Sequence, residues 1–295
     1  MRVLISNDDG KLIYEFLAFV CIQAHAYVIT GPPSWEESPF ILPFVEHLES
    51  LGWDVKVCLP DSQKSWIAKS FLIKDDIQLR YYNRSTQQIT TEQQDKTDFL
   101  LLTGTPATCV NIALHHLFAD QEFDLVISGP NFGRNFSNLF TLASGTVGAA
   151  MEGALNKKKA ISISFCFSNK QPECIQNCCE TASDIVQHLY RLDMPWPTLG
   201  VFNVNIPMTK ERRPVHMTKF YNTHYGSLFK QDKHGHFHFK PDFSNTHQDP
   251  GVEGTDQWAL MNKYVSITPM VAALQTAHVD DLDFDVDSLN TKVFE

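Results

Sequence analysis

The chain has 295 residues, 43% of them hydrophobic and 20% charged, with a formal net charge of -10. That length and apolar share furnish a core for one large or two modest domains, and the acidic balance excludes a broad polyanion-binding surface, because nucleic-acid binders collect Lys and Arg to displace counterions from phosphates. Seven cysteines, scattered apart from Cys174, Cys178 and Cys179, suit free thiols in a reducing, cytoplasmic compartment better than a disulfide framework, and the trio lacks the second ligand pair of a zinc finger.

The first apolar run, RVLIS at 2–6, reads as a buried strand that ends in NDDG at 7–10. Twenty mostly apolar residues follow at 11–30. They have no basic leader and no clear small-residue cleavage site, which argues against a signal peptide. Glu15, Gln23 and His25 lie inside the run and weigh against a membrane span. The spacing then predicts a helix near 39–51, ended by Gly52, and a strand at 53–60. The polar stretch 81–98 reads as a mobile loop, and FLLLT at 99–103 as a strand. In the helix that follows, Thr105 is the expected N-cap and Pro106 the first helical residue.

DLVISG at 124–129 is the next strand, PNFGRNFSNLFTLA at 130–143 reads as a loop, and SGTVGAAMEGAL at 144–155 as a small-residue helix packed closely on a sheet. AISISF at 160–165, VFNVNIP at 201–207 and YVSITP at 264–269 complete the strands. Between the last two, the aromatic and His-rich KHGHFHFK alternates with period two beyond a turn at Gly235, which predicts a projecting β-hairpin arm over about 211–255. Short apolar runs alternating with helical patterns indicate an α/β fold, a doubly wound, mainly parallel sheet with helices on both faces, in one domain over 1–295.

In such a sheet ligands bind at the carboxyl ends of the strands. Those ends are NDDG, PDSQKS at 60–65, TGTPAT at 103–108 and SGPNFGRN at 128–135. Asp8 and Asp9 bring carboxylates, Ser65 a hydroxyl and Asn131 an amide oxygen, a hard set that suits Mg²⁺ or Mn²⁺. An Asp pair before Gly also closes ordinary turns, so the combination carries the argument. The glycine-flanked N–H groups of SGPNFGRN and ASGTVGAA, with the helix start near Gly145, suit phosphate oxygens; taken singly, such glycines only permit close packing. There is no GxGxxG after the first strand, no Walker A loop, no GxSxG elbow and no His at a strand end to serve Ser144, so dinucleotide, P-loop and serine-hydrolase readings lose their warrant. His234, His236 and His238 form a stripe that reads as an exposed hairpin face rather than a metal site.

Taken in order, NDDG, PDSQKS, TGTPATCV, DLVISGPNFGRN, SGTVGAAMEG and YVSITP resemble the SurE family of metal-dependent survival-protein phosphatases, over 1–10 and from 31 to about 270. The resemblance implies a Rossmann-like three-layer core, an exchanged C-terminal arm in a homodimer or higher homo-oligomer, and hydrolysis of nucleoside 5′- and 3′-monophosphates; no membrane partner is expected from the residues at 11–30, a membrane-anchored phosphatase being the lesser alternative. Carried over residue by residue, it puts a divalent ion on Asp8, Asp9, Ser65 and Asn131, with Asp8 and Asp9 catalytic. The substrate and phosphate fall to Asn131, Asn135, Ser144, Gly145 and Thr146. Two loops depart from the usual pattern: SG-[IV]-N reads SGPN at 128–131, and QSG or RSG reads KSW at 64–66, variants that look like the eukaryotic branch, in which a tubulin-tyrosine-ligase-like domain can be attached. Removing 11–30 restores a family-like NDDGPPSWEESPF, and the junction residues are compatible with a retained intron or with a genuine insertion. An insertion directly behind the metal carboxylates motivates the alternative of a catalytically impaired interaction module.

Overall fold

A computed structural model describes residues 1–7, 38–167, 169–191, 196–241 and 249–274. The expectations for Asp8, Asp9 and the 11–30 stretch lie outside these residues. Six strands run parallel through the centre: β1 (Arg2–Ser6), β2 (Asp54–Pro60), β5 (Phe99–Leu102), β6 (Leu125–Phe132), β7 (Lys159–Cys166) and β8 (Gly200–Pro207). Antiparallel β3 (Leu79–Asn83) and β4 (Gln88–Thr90) extend one edge. On the other edge β12 (Val265–Val271) pairs antiparallel with β8 and parallel with β9 (Val215–Met217). The order β4-β3-β5-β2-β1-β6-β7-β8-β12-β9 reverses its direction of growth at β1 and β6, the switch point at which doubly wound sheets open a crevice.

The central strands are mostly apolar because both faces are covered, and the period of two divides the core. Val3, Ile5, Val57 and Leu59 pack under α1 (Ile41–Ser50) and α5 (Pro172–Arg191). Leu4, Cys58, Leu100 and Leu102 pack under α2 (Pro106–Ile112), with Ala149 of α4 (Gly145–Leu155) beside them. This is the three-layer α/β arrangement expected from the sequence. Cys174, Cys178 and Cys179 lie on the buried face of α5 as free thiols, and burial pushes the Cys178 thiol up to about 12.

Two local expectations are corrected. The 81–98 stretch is not a mobile loop: β3 and β4 pair as a hairpin in which Tyr82 is buried beside Phe99. Its polar residues satisfy turns locally, as where the Asn83 side chain accepts the Thr86 N–H at 2.9 Å and Asp98 Oδ2 accepts the Gln94 and Asp95 N–H groups at 2.8 and 2.9 Å. Within the expected loop at 130–143 the chain forms α3 (Ser137–Ala143), a segment too short to declare a period. Tertiary contacts fix it, since Phe136 and Phe140 are buried and Asp256 Oδ2 accepts the Ser137 N–H at 2.7 Å. Helix α2 also runs on as a π-helical turn over Ala113–Leu117.

In the arm region, β10 (Phe229–Gln231) and β11 (Phe237–Phe239) form a separate two-stranded hairpin. Asp232 organises its turn, accepting from the backbone N–H groups of His234 and His236 at 2.8 and 3.0 Å and meeting His238 Nε2 at 2.9 Å. Among the described residues no group of three or more His, Cys, Asp or Glu is gathered to hold a metal, and no helix is long and apolar enough to cross a membrane. Helix α6 (Asp256–Met261) precedes β12.

Candidate active site

At the switch point β6 breaks its register on β7 between Ser128 and Asn131, across a cis Gly129–Pro130 peptide. Gly129 sits at φ 120°, and a Cβ there would lie 2.2 Å from the Ile163 carbonyl oxygen, so only glycine lets the strand turn its exit loop outward at this point. Asn7, where β1 leaves the sheet next door, holds the exit: its Nδ2 donates to the Pro130 carbonyl at 3.0 Å, and its Oδ1 accepts from Thr146 Oγ1 at 3.1 Å.

A cleft of about 140 Å³ opens beside this exit, lined by Ser65, Asn131, Asn135 and Ser144 together with Trp66, Arg134 and Phe140. Four sequence-derived site residues thus share one wall system. Two more, Gly145 and Thr146, form the buried first turn of α4, whose N-terminus carries the positive end of the helix dipole, while Asp8 and Asp9 lie outside the described residues. Ser144 is that helix's N-cap, with Oγ accepting the Val147 N–H at 3.1 Å.

Asn135 is held from several sides. Its Nδ2 donates to Ser164 Oγ at 2.9 Å, its N–H to Asn205 Oδ1 at 2.9 Å, and its carbonyl accepts from Asn203 Nδ2 at 2.7 Å and Thr141 Oγ1 at 3.0 Å. With Ser162 Oγ donating to Asn203 Oδ1 at 2.9 Å, these buried amides form a satisfied network under the cleft floor. Sequence reasoning missed Asn203 and Asn205, although the signal was present: VFNVNIP puts two amides at period two in an otherwise apolar strand.

The loop between β2 and β3 that carries Ser65 is fastened to the end of α3, the start of α2 and the side of α4. Ala68 N–H donates to the Ala143 carbonyl at 3.0 Å, Thr105 Oγ1 donates to the Ser70 carbonyl at 2.6 Å, and Lys69 Nζ meets Glu152 Oε2 at 2.7 Å. A Cβ on Gly148 would lie 2.5 Å from the Ala68 carbonyl oxygen, so loop and helix touch backbone to backbone. Hydrogen bonds from Lys69, Asn111 and Asn156 outweigh the burial of Glu152 and hold its carboxyl below its usual range.

Trp66, beside Ser65, is the residue that departs from the glycine of QSG and RSG, and its backbone still has φ 63°. Glycine adopts that conformation without cost, whereas a side chain there costs about 1–2 kcal/mol. The indole is held among Phe140, Tyr225 and Phe239, with ring centroids at 6.1, 5.9 and 5.1 Å, and so joins the cleft wall to the hairpin arm.

Comparisons with known proteins bear on the family and the fold. The family model described as "Survival protein SurE" matches residues 3–227. The chain is 32% identical over 283 residues to the 5′-nucleotidase SurE of Vibrio campbellii, covering 94% of this chain and 91% of that one. It is also 32% identical over 243 residues to a probable tubulin–tyrosine ligase of Saccharomyces cerevisiae, covering 71% of this chain but only 29% of the yeast protein's length. The crystal structure of the SurE protein from Aquifex aeolicus superposes with a TM-score of 0.69 at 26% identity, covering 98% of this chain and all of that one. The chain therefore belongs to the SurE family, with the eukaryotic branch represented among its relatives.

Proposed function

We propose that the chain is a metal-dependent phosphomonoesterase acting on nucleoside 5′- and 3′-monophosphates. The observation that carries this reading is the meeting of Ser65, Asn131, Asn135 and Ser144 in one cleft at the switch point, beside the N-terminus of α4 and next to the strand exit that leads into Asp8 and Asp9. The Ser65 hydroxyl and the Asn131 amide are neutral hard oxygen donors, and two carboxylates would complete a set that fits Mg²⁺ or Mn²⁺. A divalent ion bound there supplies an acidified water and neutralises charge on the phosphoryl oxygens. The chain's own part is positional: the first turn of α4 and Ser144 hold the phosphoryl group, the Asn135 network keeps the floor rigid, and Asp8 or Asp9 orients the attacking water. The Asp8→Asn variant tests the reading. Loss of metal-dependent phosphate release with an unchanged melting temperature is expected; full activity would refute the site.

The exposed apolar side chains of the arm hairpin, Phe229, Phe237 and Phe239, support a homodimer or higher homo-oligomer built through this region. Light scattering on the purified chain checks it, and a monomer at micromolar concentration would contradict it. The insertion at 11–30 keeps one rival, a binding module that has lost turnover, which the phosphate-release assay described below separates from the enzyme.

A further inference from the structure

Arg134 lines the cleft together with Ser65, Asn131, Asn135 and Ser144. Its guanidinium lies over two rings, 4.6 Å from the centroid of Phe140 and 5.6 Å from that of Phe136. Both rings are buried, and they meet edge to face at 6.1 Å, so the shelf under the guanidinium is itself fixed by the core. Burial lowers the Arg134 pKa from its usual value, yet a guanidinium keeps its charge throughout the physiological range. Beside the hydroxyls and amides of the cleft it is a fixed cationic donor, partly shielded from water by the protein around it. The planar fork of N–H donors on a guanidinium matches two oxygens of a phosphoryl group.

We propose that Arg134 is a further catalytic residue, one that grips the phosphoryl oxygens of the substrate from the side of the cleft formed by α3. The inference rests on the reading of the cleft as a phosphomonoesterase site. In that hydrolysis the water oxygen bonds to phosphorus, the ester P–O bond breaks, the leaving oxygen takes a proton, and inorganic phosphate departs with the three oxygens that were non-bridging in the ester. Arg134 contacts those oxygens in substrate, transition state and product, so it contributes to phosphate binding as well as to turnover. The fixed shelf of Phe136 and Phe140 supplies orientation, which a flexible lysine at this place would lack.

The test uses the full chain and the Arg134→Met and Arg134→Gln variants, with kcat and KM for AMP and for p-nitrophenyl phosphate, the inhibition constant of inorganic phosphate, and a melting curve for each protein. A charge-assisted, two-pronged contact is worth about 1.5–3 kcal/mol, so kcat/KM is expected to fall about 10- to 100-fold in both variants, and phosphate inhibition to weaken by at least about tenfold. A merely structural role would move the melting curve and leave phosphate inhibition of the remaining folded enzyme unchanged. If either folded variant keeps wild-type kcat/KM and wild-type phosphate inhibition while the wild type is active, the role of Arg134 is overturned and the phosphatase reading stands. A wild-type chain that releases no phosphate sinks both.

Discussion

At φ 63°, Trp66 keeps a bulky side chain in a region that glycine enters freely, and three aromatic rings hold it there. Replacing the indole separates packing from backbone strain. Trp66→Ala and Trp66→Gly both lose the ring contacts, but only the glycine relieves the backbone, so the Gly variant is expected to be more stable than the Ala variant by about 1 kcal/mol in denaturant titration. Equal stability would show that the left-handed conformation is not kept in solution. Asp256 is fully buried; Oδ1 accepts from the Tyr221 and Gln257 N–H groups at 2.9 and 2.8 Å, and Oδ2 from Ser137 at 2.7 Å. Burial outweighs those bonds and raises its carboxyl to about 6. Between its ordinary value of 3.8 and about 6 the folded protein therefore binds a proton that the unfolded chain releases. That contribution is fully present below the lower value and is lost as pH rises through the higher one. Relative to Asp256→Asn, the wild type should gain about 2 kcal/mol of stability as pH falls from 6 to 4; parallel pH profiles of the two proteins would contradict this.

Between elements, the contact that matters most for the site joins the Ser65 loop to α4. Glu152 is 6% exposed at its side chain and Lys69 24%, and their ion pair stands beside the backbone contact at Gly148. Lys69→Met leaves a buried carboxylate supported only by Asn111 and Asn156. A loss of about 3 kcal/mol is expected in chemical denaturation, and a change under about 0.5 kcal/mol would show that the pair does not fasten the loop. The elements legible in the sequence were those with a sustained period or a cap: the apolar parallel strands, the Thr105-capped α2 and the small-residue α4. Those missed were built by tertiary contacts. The β3–β4 hairpin hides two buried strand positions among turn-forming polar residues, and the seven residues of α3 are fixed by Asp256, more than a hundred positions away.

For the whole molecule, the sheet order decides where chemistry can occur. Ser65, Asn131 and Ser144 were readable because each follows an apolar run or opens a helix, and a doubly wound sheet brings such ends to one rim. Trp66 and Arg134 were not readable as cleft residues, because their placement depends on α3 and on the arm, the two parts whose packing a local pattern does not encode. The cleft as described has amide and hydroxyl donors, a guanidinium and a helix N-terminus, and the proposed ion adds the remaining positive charge. The most direct measurement is release of inorganic phosphate from AMP and from p-nitrophenyl phosphate by the purified full chain, with Mn²⁺ or Mg²⁺ and after chelation. Turnover that appears with the metal, vanishes with chelator and returns on adding metal back is the expected result. No release above the blank with either metal, or release indifferent to chelator, would contradict a metal-dependent phosphomonoesterase.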